Sequence, residues 1–584
     1  MQARIIQVTA QTSGRGAYSG RDQWILLLAG LPLQAAFLFF PLTVECDATM
    51  YYRYGQYLLG QPGGVFTSHR PPGFPLYLIL TGQYAFDSFI GPVLGHALMG
   101  LALPVLLYRI LAPFHRRLAF WTAVVYLATT QPFLQAKMLI ADQLFSFLLL
   151  TTVYLTTRAL LSSRPLWIYA ACLTGFAAWF TRMEGAVALV GLALVIAVVA
   201  RQQRLVRHAV AAGLIVLAAV GAWSVTRSRI LGDPRLVGSV SNTSGMQFLY
   251  RAAVFLPTQL LDWELALGLR APDDQSGLGD FRMLDARDDR IAMGRLVVQP
   301  SNGPASTYLH DLIVRLATER PESYRALKGP LSQVTPYDPA LKGLNTYDLV
   351  FGRFEGRPRA LADNMFAEPN GYVMDYLMGA LPQLIGLEAT DAVFRDVALE
   401  GVRRHPLAAV VLLRDAVTFF GVDIRSALGQ GAHKRPYASP LWNMAEQPHY
   451  AYSMFNAGGC AQTALTPRLW ASYEWDARVS RAAPTELFFK GTNVVRNSLR
   501  LLCGLLALAT WWVLPWSRHR LIFLTLAGVA FVMMAVISVS VGAGAHTKYE
   551  HSIQPLMLIV TCGSIVALLD RRRDRRVPLQ GRYV

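Results

Sequence analysis

Apolar stretches of membrane-spanning length recur toward both ends of the chain, separated by short clusters of polar and mostly basic residues. Crossing a hydrocarbon core of roughly 30 Å takes about 20 helical residues. Windows near 24–43, 88–112, 118–134, 140–161, 166–182, 185–200 and 208–227 are read as spans in the first part of the chain. Three more, near 495–516, 520–541 and 553–570, follow at the C-terminal end. Two further apolar segments do not fit as crossings. Gly73 to Phe86 is only about 14 residues long, and Pro71-Pro72 ahead of it suit the first turn of a helix. Leu407 to Val422 carries Arg414 and Asp415 at its centre, which is costly in hydrocarbon. Asp391 to Arg404 sets Phe394, Val397, Ala398 and Val402 at helical spacing. These segments are predicted to be interfacial helices lying on the membrane.

Charge then orients the spans. Arg4, Arg15 and Arg21 precede the first one. The other basic clusters are His115-Arg116-Arg117, Arg164, Arg201 to Arg207, Arg518-His519-Arg520 and Arg571 to Arg576. Placing all of them in the cytoplasm follows the positive-inside bias and puts both termini inside. The first apolar stretch, Trp24 to Phe40, has no small-residue cleavage site after it, so it is read as a retained span. The expected fold is an all-α polytopic membrane protein of about ten transmembrane helices with interfacial helices, plus a mixed external domain. Its parts are 1–226 with a first external loop at 45–87, an external region at 227–490, and C-terminal helices with a basic tail at 491–584.

Composition agrees. Of 584 residues 53% are hydrophobic and 16% charged, against about a quarter charged in soluble proteins. A net charge of +17 raises the question of nucleic acid, but the basic residues sit in short loops and form no basic domain. The expected partners are therefore membrane lipids and no nucleic acid. Cys172, Cys503 and Cys562 lie in apolar spans. Cys46 and Cys460 both fall outside the cytoplasm, where a disulfide is chemically allowed and spacing alone leaves the pairing open.

The stretch richest in chemistry begins where the first span exits. It reads Glu45-Cys46-Asp47, continues through Tyr51, Tyr52, Tyr54 and Tyr57 to Gly60, and resumes as Ser68-His69-Arg70-Pro71-Pro72-Gly73-Phe74-Pro75-Leu76. An exit carboxylate, an aromatic helix, a His-Arg pair and an interfacial helix together make a cleft over the span end. This order resembles the GT-C superfamily of membrane glycosyltransferases, whose members include the protein O-mannosyltransferases and the lipid A aminoarabinose transferases. Also similar are Ala141-Asp142-Gln143-Leu144-Phe145, Thr181-Arg182-Met183-Glu184-Gly185, Gly401 to Leu407, and Lys548-Tyr549 to Pro555. The likeness covers the first 230 residues well and part of the last 60, and does not extend in detail over 230–490. Relatives often carry Arg-Pro-Glu where this chain has Arg182-Met183-Glu184, and Glu-Pro where it has Asp142-Gln143.

The resemblance implies a GT-C fold and transfer of a sugar from a polyprenyl-phosphate donor to an acceptor hydroxyl, with inversion. It implies a bacterial inner membrane and a site facing the periplasm. The acceptor hydroxyl must lose a proton, which calls for a positioned carboxylate, and Asp47 is the expected base. Asp142 either shares that work, places the acceptor, or is a helix N-terminal charge. His69, Arg70, Arg182, His546, Lys548 and His551 are the candidates for the leaving phosphate, each also fitting an interfacial anchor. Tyr52, Lys137, Glu184 and Tyr549 are expected to position substrate, Glu184 by pairing with Arg182. Glu45, Asp47 and Asp142 are the carboxylates available to a divalent ion, but no dense ligand motif decides metal dependence. No other cofactor is expected, and the acceptor remains open among lipid, glycan and protein. A transporter or flippase of lipid-linked sugar is the first alternative, although paired halves with midplane polar residues are not seen. An envelope assembly protein with an external binding domain is the second.

Overall fold

The computed structural model describes residues 19–231 with short gaps, 386–404, 553–566 and scattered positions elsewhere. Among these residues the regular structure is helical. In chain order come α1 (Gly20–Leu38), α2 (Cys46–Leu58), α3 (Gly73–Leu80), α4 (Gln83–Phe86), α5 (Ile90–Ala128) and α6 (Asp142–Ser162). Then follow α7 (Pro165–Thr181), α8 (Gly185–Gln202), α9 (Val206–Leu231), α10 (Leu387–Arg404) and α11 (Ile553–Val566). Helices α5, α6 and α9 are long and apolar enough to cross a membrane, and α7, α8 and α11 are shorter apolar helices. This is the make-up of a helical membrane protein.

The 39 residues of α5 are two helices joined at His115, whose φ of −160° and ψ of 96° interrupt the α conformation. Sequence patterning divides the same stretch at the same basic triplet. Charged side chains inside an apolar helix must reach water, so the chain turns there. The Leu118 N–H donates to His115 Nδ1 at 3.2 Å and so finds a partner at the start of the second helix. That second helix stops at Ala128 rather than near 134. The Thr129 hydroxyl turns back onto the Tyr126 carbonyl at 2.6 Å, and Pro132 disfavours helix just ahead of it. The predicted interfacial segment 73–86 is likewise two short helices, α3 and α4, divided at Gly82, whose φ of 78° suits a residue without Cβ.

Alternating helices sort the polar connections to two ends of the bundle. At one end Asp22 of α1 accepts from Arg116 Nε at 2.8 Å and from the Tyr108 hydroxyl at 2.9 Å. Beside them Arg109 Nε donates to Gln23 at 2.9 Å. Arg116 holds the Asp22 carboxyl below its ordinary value of 3.8. At the same end Gln203 Nε2 donates to the Leu160 carbonyl at 2.6 Å, tying the α6–α7 and α8–α9 connections together. These are the basic connections that charge counting assigns to one side. The opposite end carries Asp142, Arg182 and the α2–α4 segment. Between the two ends Leu103, Leu107, Phe145, Val153, Leu192 and Ile559 form the core. Val210, Leu214, Ile215 and Leu217 of α9 point out of it, as suits a lipid-facing helix.

Described residues between 227 and 490 also make contacts. Phe394 and Val397 of α10 are buried, and Glu400 accepts from the Ala305 N–H at 2.8 Å. That bond ties this helix to Ala305. Thr466 donates to the Asp87 carboxylate at 2.8 Å, and Leu469 is buried among Leu42, Tyr52, Phe89 and Leu139. Of the span expected near 520–541, Leu526 and Val529 are described, are helical and lie in the core. The span expected near 495–516, the 407–422 helix and the Cys46–Cys460 pairing lie outside the described residues.

Candidate functional site

Asp142 opens α6 and Arg182 follows the last residue of α7, so antiparallel packing brings them to the same level. Arg182 Nη1 and Asp142 Oδ1 form an ion pair, with side chains only 9% and 4% exposed. Arg182 leaves the helix in extended conformation, at φ −145° and ψ 143°, while its N–H still bonds the Ala178 carbonyl at 3.0 Å. The turn into α8 is tight. A Cβ at Gly185 would lie 2.5 Å from the Trp179 Cα. As the first residue of its helix, Asp142 also gains from the positive end of the backbone dipole.

The segment between α1 and α5 packs against this pair's end of the bundle. A Cβ at Gly73 would lie 2.5 Å from the Phe180 carbonyl oxygen and 2.8 Å from Thr181 Oγ1, so α3 starts hard against the end of α7. Arg70, just before α3, holds its guanidinium 5.6 Å from the centre of the Tyr51 ring. Tyr51 meets Phe74 edge-on at 5.0 Å. Helical spacing puts Asp47, the second residue of α2, one turn before Tyr51. The Asp47 side chain itself falls outside the described set. Tyr52 turns to the loop's own core. It stacks on Tyr84 at 5.2 Å, and burial, aided by Asp87, pushes its phenol up to about 12.

Lys137 donates to the Leu38 carbonyl at 3.0 Å, where a cation satisfies an orphan acceptor at the end of α1. His69, Glu184, His546, Lys548, Tyr549 and His551 lie outside the described residues. The structure thus joins Asp142 with Arg182 and places Arg70 with Tyr51, but shows Tyr52 and Lys137 in supporting contacts. Among the described residues no group of three or more His, Cys, Asp and Glu stands ready to hold a metal ion.

Sequence reasoning passed over two residues here. Arg227 of α9 is 1% exposed, and burial raises the Tyr54 phenol pKa while the Arg227 charge partly opposes it. Trp223, one turn earlier, meets Phe180 edge-on at 5.3 Å. The signal was the spacing of Trp223, Ser224, Arg227 and Ser228, a polar stripe on an apolar helix. His96, fully buried in α5, stacks on Tyr77 at 5.1 Å and Phe74 at 5.8 Å. A lone histidine in an apolar window was its only trace. No family model matches the chain, and neither a curated protein nor a solved structure is found to be similar to it.

Proposed function

We propose that the protein is a membrane glycosyltransferase that moves a sugar from a polyprenyl-phosphate donor to an acceptor hydroxyl at the external face, with inversion. The observation that carries the reading is the buried Asp142–Arg182 pair beneath an arginine-bearing aromatic loop, at the end of the bundle opposite the basic connections. A lipid phosphate sits at headgroup level, which is where cations at a helix end are useful to it. The GT-C resemblance rests on the order of Asp47, Arg70, Asp142 and Arg182 along the chain, and the Asp142–Arg182 and Arg70–Tyr51 contacts are compatible with it.

In this reading the acceptor oxygen attacks the anomeric carbon as the bond from that carbon to the phosphate oxygen breaks. Asp47 takes the hydroxyl proton. Arg70 and Arg182 offset the charge that grows on the departing polyprenyl phosphate, and Arg227 adds a third guanidinium on the α9 side. Asp142 fixes Arg182, so that the guanidinium needs little rearrangement when charge develops. The membrane is the bacterial inner one and the site faces the periplasm. The test is a transfer assay with undecaprenyl-phosphate-linked aminoarabinose, arabinose, mannose and glucose, each supplied with an envelope extract as acceptor. Release of undecaprenyl phosphate with a new glycosidic bond supports the reading. Movement of intact donor across vesicles without bond formation replaces it with a transporter.

A further inference from the structure

The residue after Asp142 links the head of α6 to two other parts of the bundle. Gln143 is fully buried, and its Nε2 donates both to the His96 carbonyl of α5 and to the Pro132 carbonyl, each at 3.1 Å. One primary amide therefore ties the start of α6 to α5 and to the connection between them. The neighbouring backbone is drawn in to meet it. A Cβ on Gly100 of α5 would lie 2.6 Å from the Pro132 oxygen, 2.9 Å from Gln34 Oε1 and 3.3 Å from Gln143 Nε2. Gln34 of α1 is itself buried, so amides from α1 and α6 converge on the same backbone gap.

We propose that Gln143 is a positioning residue, which fixes the first turn of α6 so that Asp142 meets Arg182 in one geometry. Asp142 has a short side chain, so its carboxylate goes where its backbone goes. Arg182 is long and would follow a displaced partner away from its present position. An amide has two N–H groups for two carbonyls, whereas a methionine of similar length has none. Packing alone would be met by an apolar residue, so the paired donors point to orientation of the helix start. The link to activity rests on the proposed function, but the positioning itself does not.

The test uses the full-length protein purified in detergent. Gln143→Met is expected to raise hydrogen exchange in the first two turns of α6 about tenfold, with the middle of α7 unchanged. Gly100→Ala attacks the same junction from α5 and is expected to give the same local pattern. Exchange that stays unchanged, or rises equally through α6 and α7, overturns the proposal. A second measurement reads the coupling through Asp142, with undecaprenyl phosphate as probe. Gln143→Met should weaken binding about tenfold in the native background and less than about twofold in the Asp142→Asn background. Equal weakening in both backgrounds means that Gln143 acts by packing alone and overturns the proposal. If the native protein does not bind the probe, the functional reading fails and the exchange pattern decides the positioning.

Discussion

Asp142 and Arg182 are almost water-free, and each is tolerable there because of the other. Removing one partner of a buried pair strands the second charge, at a cost of about 3–5 kcal/mol. Asp142→Asn is therefore expected to lower thermal stability in detergent strongly. Asp142→Asn with Arg182→Gln should cost clearly less than the two single changes added together. Additive losses would show that the two groups do not depend on each other. Asp22 and Arg116 make a different kind of pair, with the arginine side chain half exposed. The Asp22 carboxyl is held below 3.8, first by its bond to Arg116. A carboxylate depressed on folding contributes stability that is present above its unfolded pKa and lost as pH falls through the lower folded one. Arg116→Gln should change stability at neutral pH only slightly, because the exposed guanidinium is screened by solvent. It should also remove part of the acid-induced loss that begins below about pH 4. Melting curves across pH 3–7 read both effects, and an unchanged acid limb would contradict the pairing.

Among the elements, α3 is the one that fixes the first loop against the Asp142–Arg182 end of the bundle. Its first residue, Gly73, has no room for a methyl group against Phe180. Gly73→Ala should push α3 off the end of α7, carry Arg70 with it, and weaken undecaprenyl phosphate binding about tenfold while the bundle still melts cooperatively. Unchanged binding would mean that the α3–α7 contact does not shape the site. This element was legible in the sequence because Pro71-Pro72 fix a helix start and the apolar run is too short to cross. The break at His115 was legible for the same kind of reason, since a basic triplet cannot stay in hydrocarbon. Asp142 at the head of α6 was likewise visible as the polar edge of an apolar window. The partners of Lys137 and Gln143 were not. Lys137 bonds a carbonyl 99 residues away and Gln143 one 47 residues away. Hydropathy reports burial along one helix and says nothing about which carbonyl a neighbouring helix presents. Arg227 was hidden differently, because an arginine near a span end reads as a boundary until packing shows it buried.

For the whole molecule, the question is which end of the bundle faces the cytoplasm. The structure gathers Asp22, Arg116, the α6–α7 connection and the α8–α9 connection at one end, and Asp142, Arg182 and the first loop at the other. The positive-inside bias assigns the first group to the cytoplasm. Single cysteines at Arg117 and Arg164 should then react with an impermeant thiol reagent only after the inner face is opened, and one at the exposed Gln61 should react from outside. The reverse pattern would place the candidate site in the cytoplasm. The proposed reaction is sugar transfer from a lipid phosphate, with Asp47 as the base. The most direct test compares the native protein with Asp47→Asn, using the undecaprenyl-phosphate-linked sugars and envelope extract, and counts undecaprenyl phosphate released by mass spectrometry. The account predicts release by the native protein and a loss of about 10²–10⁴-fold in the variant, with membrane insertion intact. Equal release by the two proteins, or no release by the native protein from any of the four donors, would contradict it.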